Sequence, residues 1–109
     1  MEYFKTIDIP HLSFTVHFMD LSNVQGLPKI EHKGVGFTCT IGETDTEVLV
    51  AFKNIKTFIK EKKNAPYIAH ELIHVLQLIC ERYQMTFKNE VEHMAYLMTY
   101  LYKKLTDEL

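Results

Sequence analysis

The stretch APYIAHELIHVLQLICERY, residues 65 to 83, decides what kind of fold this chain adopts. Ile68, Ala69, Leu72, Ile73, Val75, Leu76, Ile79 and Cys80 recur with a helical period and cover most of the circumference. At 100° per residue, His70, His74, Gln77 and Glu81 fall on one narrow stripe, with Glu71 at its edge. Neither Lys nor Arg occurs between Ala65 and Glu81. The pattern predicts a long helix wrapped by protein except along one polar seam. Asn64 is expected to cap its free backbone donors, and Pro66 is tolerated in a first turn.

Working outward, the polar QMTFKN (84–89) breaks the period, and a second helix is expected from about 90 to 106. It would bury Val91, Met94, Ala95, Met98, Leu101 and Leu105. Upstream, Ile55, Phe58 and Ile59 suggest a short helix within KNIKTFIKEKK (53–63). The first half alternates instead. In SFTVHFM (13–19), Phe14, Val16 and Phe18 oppose Thr15, His17 and Met19. In GVGFTCTI (34–41), Val35, Phe37, Cys39 and Ile41 oppose Gly36, Thr38 and Thr40. The turn-like GETD (42–45) and the β-branched TEVLVAF (46–52) complete a hairpin over 34–52. YFKTIDI (3–9) reads as an edge strand ended by Pro10, and LSNVQGLPKIEHKG (21–34) as a loop. The expected fold is α+β: a small antiparallel β-sheet followed by two long helices, in a single domain over 1–109.

With 109 residues the chain can build one modest core. Its net charge of −2, with 47% apolar and 24% charged residues, provides no broad field for nucleic acid or anionic membrane. Lys60, Lys62 and Lys63, interrupted by Glu61, read as a solvated face. Cys39 and Cys80 are too few for a disulfide framework and sit in apolar runs. No signal peptide and no run approaching about 20 apolar residues is visible, so a cytoplasmic protein is expected.

The seam carries chemistry. Histidines four apart on a helix project side by side, so His70 and His74 can grip one Zn²⁺, while Glu71 is placed to take a proton from water activated by the metal. Catalytic zinc needs a third protein ligand. Glu81 lies about 10 Å along the axis from His74, too far to share the ion. The start of the second helix, NEVEHMAY (89–96), offers Glu90, Glu92 and His93, and the break before it is long enough for the chain to reverse. Glu92 also stands three residues after Asn89, the spacing of a capping box. Tyr96, one turn beyond Glu92, is an auxiliary candidate. His11, His17 and His32 lack ligand spacing; His17 could reach the cleft from its strand, but a surface imidazole is the better reading.

AHELIHVLQLICERY followed by NEVEHMAYLMTYL resembles the small zincin-like metallopeptidases of tailed bacteriophages and prophages. In that group an HExxH helix is followed, after a short connection, by a helix opening with a Glu near an Ala-Tyr pair. The resemblance spans roughly residues 67 to 102. It implies that His70 and His74 are zinc ligands, Glu71 the general base, and Glu92, three residues before Ala95 and Tyr96, the third ligand of a gluzincin-type site. Glu90 and His93 remain alternatives for that ligand. The activity so implied is zinc-dependent hydrolysis of a peptide bond in a peptide or protein substrate, bound alongside a strand over 45–52, in the host cytoplasm. The other reading is a catalytically silent, zinc-stabilised accessory or binding module.

Overall fold

Alternation in the first half and helical period in the second translate into four strands followed by three helices. The structure, a computed structural model, describes residues 2–24 and 36–107. His32, Val35 and most of the expected loop lie outside the described residues. The elements are β1 (Lys5–Ile9), β2 (Phe14–Asp20), β3 (Gly36–Thr40), β4 (Glu47–Phe52), α1 (Ile55–Phe58), α2 (Ala65–Tyr83) and α3 (Val91–Thr106). The α+β class and both long helices are as the sequence predicts.

The sheet order is β1-β2-β4-β3. β1 pairs antiparallel with β2, and β3 pairs antiparallel with β4 as the hairpin expected over 34–52 requires. Between the two pairs, however, β2 and β4 run parallel, with Val16 opposite Val48 and Phe18 opposite Val50. The sheet is therefore mixed rather than wholly antiparallel. The reason is visible in β4, where Val48 to Phe52 are all buried: a strand apolar on both faces belongs in the middle of a sheet. It docks against β2, leaving β1 and β3 as the edges among the described strands. β3 approaches β4 closely at Gly36, where a Cβ would lie 2.6 Å from the Ala51 carbonyl oxygen.

The two faces of the sheet carry different cores. Ile7, Ile9, Phe14, Val16, Phe18, Val48, Val50 and Phe52 pack against the helices. The opposite face gathers Met19, Phe37, Leu49 and Ala51 with Tyr3, Leu21, Cys39 and Ile41 around them. β3 thus turns its apolar side away from the helices and its Gly36 and Thr38 side toward α2. α2 lies over the β3 side of the sheet and α3 over the β1 side. There the Tyr100 hydroxyl donates to the Asp8 carbonyl (3.4 Å) and Lys5 Nζ to the Lys104 carbonyl (2.6 Å).

Several local expectations are corrected. Asn64 makes no capping bond; its Nδ2 donates to the Phe58 carbonyl at 3.0 Å, so it ties α2 to α1 instead. α2 ends at Gln84, whose left-handed backbone (φ 55°) satisfies the Cys80 carbonyl. The buried face of α3 is Met94, Leu97, Leu101 and Leu105. Val91 is 55% exposed, Ala95 is exposed and Met98 is half-buried, because the long Leu97 side chain buries far more apolar area than Ala95 would. Ile73, expected within the apolar wrap of α2, is 46% exposed. Asp20, at the end of β2, accepts from the Ser22 and Ile55 backbone N–H groups, joining the sheet to α1. Among the described residues no helix is long and apolar enough to cross a membrane.

Candidate metal centre

His70 and His74 lie one turn apart on the exposed seam of α2. Their Nε2 atoms face each other at 3.2 Å, with ring centroids 4.8 Å apart and planes nearly perpendicular at 78°. Two nitrogens held by one tetrahedral zinc at about 2.0–2.1 Å would be about 3.3–3.4 Å apart. The pair therefore fits two corners of such a site. At His74, Nδ1 lies 3.4 Å from Gln77 Oε1. An Nδ1–H donated to that amide leaves the Nε2 lone pair directed at His70, the arrangement that orients ligating histidines.

Glu71 turns toward β3. It is 9% exposed, and its Oε1 accepts a hydrogen bond from Thr38 Oγ1 at 2.8 Å. The same hydroxyl lies 3.3 Å from the Glu71 carbonyl oxygen. A cleft of about 320 Å³ opens here between Gly36, Phe37 and Thr38 of β3 and Glu71, His74 and Gln77 of α2. One imidazole and one carboxylate of the HExxH sequence thus share a cavity walled by a strand that is an edge among the described strands. That strand is β3; β4, which covers most of the expected 45–52 segment, is internal to the sheet and has no free edge.

The second helix does not deliver its acidic residues to this cleft. Cys80 Sγ meets Met94 Sδ at 3.6 Å, and in an antiparallel pair this contact sets Tyr100 level with His74 and leaves Glu92 about 12 Å farther along the axis. α2 continues well past His74 before it reverses, and α3 packs over the β1 side, away from β3. Glu92 is exposed in the first turn of α3, where a carboxylate suits the helix dipole. No capping box forms: Glu90 occupies the N-cap position without a side-chain bond, and the Asn89 and Glu90 N–H groups donate to the Thr86 carbonyl. His93 contacts His11, and its Nδ1 lies 3.8 Å from the Glu90 carboxylate. Tyr96 is 55% exposed and stacks on Tyr100. Among the described residues no cluster of three or more His, Cys, Asp or Glu side chains is placed to hold a metal ion.

Two polar residues escaped the sequence reading. Thr38 was signalled only by its alternation with Phe37 and Cys39, which sets it on the helix-facing side of β3. His17, expected at the surface, is 8% exposed. It stacks on Tyr3 and bridges Thr6 Oγ1 (3.0 Å, at Nδ1) and Glu47 Oε1 (2.9 Å, at Nε2) on the sheet face opposite the helices. Neither cysteine is primed as a nucleophile, since burial pushes both the Cys39 and Cys80 thiols above their ordinary range. Compared with protein-family models, curated proteins and solved structures, the chain matches none.

Proposed function

We propose that this protein is a minimal zinc-dependent peptidase acting on a peptide or protein substrate in the cytoplasm of a host cell. The observation that carries the reading is the cleft shared by His74 and the Glu71 carboxylate beside β3, with the His70 Nε2 3.2 Å from that of His74. His70 and His74 would hold the metal through Nε2. Zinc, when bound, would supply Lewis acidity that makes water more acidic and a carbonyl more electrophilic. Glu71 would accept the proton of the attacking water and return it to the leaving amine. Thr38 holds that carboxylate against β3. An extended peptide would lie along the cleft between β3 and α2.

One observation favours the second reading, a zinc-stabilised accessory module without turnover: among the described residues no third ligand joins the histidine pair. Metal analysis of protein purified without chelator, combined with cleavage assays on a mixed peptide library, separates the two. Bound zinc with turnover abolished in Glu71→Gln supports the peptidase. Bound zinc with no turnover in either protein supports the module, and a chain that takes up no zinc even when refolded with it defeats both.

A further inference from the structure

A second pair of imidazoles joins the β1–β2 turn to α3. His11 lies in the turn between β1 and β2, and His93 in the first turn of α3. Although far apart in sequence, they meet Nε2 to Nε2 at 2.5 Å, with ring centroids 4.8 Å apart, the same centroid separation as in His70 and His74. The Glu90 carboxylate lies 3.8 Å from His93 Nδ1. A carboxylate on the far nitrogen of an imidazole favours the tautomer whose proton is on Nδ1, which leaves the Nε2 lone pair facing His11.

We propose that His11 and His93 form a second transition-metal site, selective for the strongly nitrogen-seeking end of the divalent series, Cu²⁺ above Ni²⁺ and Zn²⁺. Two imidazole nitrogens and water suit a tetragonal cation, and Cu²⁺ heads the affinity order for such donors. The cis nitrogens of such a site are about 2.8 Å apart, which a small rotation of the exposed His11 ring provides. His11 must carry its proton on Nδ1 when the metal is bound, so that both Nε2 lone pairs point at the ion. The metal would staple the β1–β2 turn to the start of α3, joining segments that the core leaves at the surface. Glu90 acts from behind His93 as an orienting group and not as a ligand. The site is independent of any metal on α2.

The test uses Cu²⁺ alone on the full chain carrying His70→Ala and His74→Ala, so that the α2 pair does not contribute. The expected result is one saturable Cu²⁺ per chain with nitrogen hyperfine splitting from two imidazoles in its electron paramagnetic resonance spectrum, and a rise in Tm with copper. Adding His11→Ala or His93→Gln should weaken binding at least about tenfold, remove one nitrogen from the spectrum and abolish the Tm rise. Both substitutions lie at or near the surface, and circular dichroism verifies the fold. Copper binding equal in the parent and in the His11→Ala/His93→Gln variant, or absent from both, overturns the proposal.

Discussion

Thr38 and Glu71 join the edge strand to the HExxH helix: the threonine hydroxyl donates to Oε1 of the carboxylate at 2.8 Å. Because β3 turns its apolar residues to the far face of the sheet, this one hydroxyl sits where a larger apolar side chain would have filled the cleft. The carboxylate is held by the strand rather than left to swing in solvent.

Replacing Thr38 with Val keeps the shape and removes the donor. Glu71, 9% exposed, would then lose a protein partner, which costs about 1–3 kcal/mol when a buried acceptor is orphaned. Urea unfolding of Thr38→Val should show that loss, and Thr38→Ser should recover most of it. Equal midpoints for Val and wild type would mean that the bond contributes nothing in solution.

Glu71→Gln is expected to keep the fold, because an amide oxygen can still accept from Thr38. Its zinc content should also be unchanged. Hydrolysis should fall to background, since an amide neither takes the proton of water nor delivers it. Turnover at the wild-type rate would remove Glu71 from the role of base.

Much of the architecture was legible because period is a property of sequence: the alternation of Phe14, Val16 and Phe18 and the helical recurrence from Ile68 to Cys80 both reappear as buried faces. Strand order was not, because pairing depends on contacts between distant segments; only the two-sided apolarity of β4 hinted at a central place and a parallel neighbour. The same limit applies to the site. The spacing of His70 and His74 fixes their mutual geometry within one helix, whereas Thr38 and the position of Glu92 depend on how other elements dock. His17 looked like a surface residue because alternation assigns a face without saying whether that face is covered.

The face of α3 gives a direct packing test. Leu97, fully buried among core residues, should lose about 2–5 kcal/mol on substitution by Ala. Val91→Ala, at a site 55% exposed, should change stability by about 0.5 kcal/mol or less. Denaturant midpoints in the reverse order would restore the rotation of the helix expected from its sequence.

Asp20 links stability to pH. The hydrogen bond from the Ser22 backbone N–H holds its carboxyl below the ordinary carboxylate range, with Ser22 Oγ and the Ile55 N–H adding to the effect. A carboxyl whose folded pKa is depressed contributes stability above its unfolded pKa and loses it as pH falls through the folded value. The contribution should therefore be present at neutral pH and fade below about pH 4. Asp20→Asn should be less stable than wild type at pH 7, with the gap narrowing in acid; a gap independent of pH would assign the effect to shape rather than charge.

Zinc titrations of His74→Ala and Glu92→Ala test the placement of α3. Among the described residues His74 supplies one of two imidazoles that converge here, so its loss should abolish tight binding. Glu92 stands about 12 Å farther along the helix pair, on the flank of α2 away from β3, and its carboxylate cannot reach the same ion without unwinding the end of α2. Glu92→Ala should leave zinc affinity within about twofold and cost about 0.3–1 kcal/mol through the helix dipole. Glu90→Ala and His93→Ala should likewise spare this site, because their side chains sit at the β1–β2 turn. If Glu92→Ala instead loses zinc as severely as His74→Ala, α2 must end earlier in the metal-bound protein than at Tyr83, and α3 must swing its first turn across to the histidine pair.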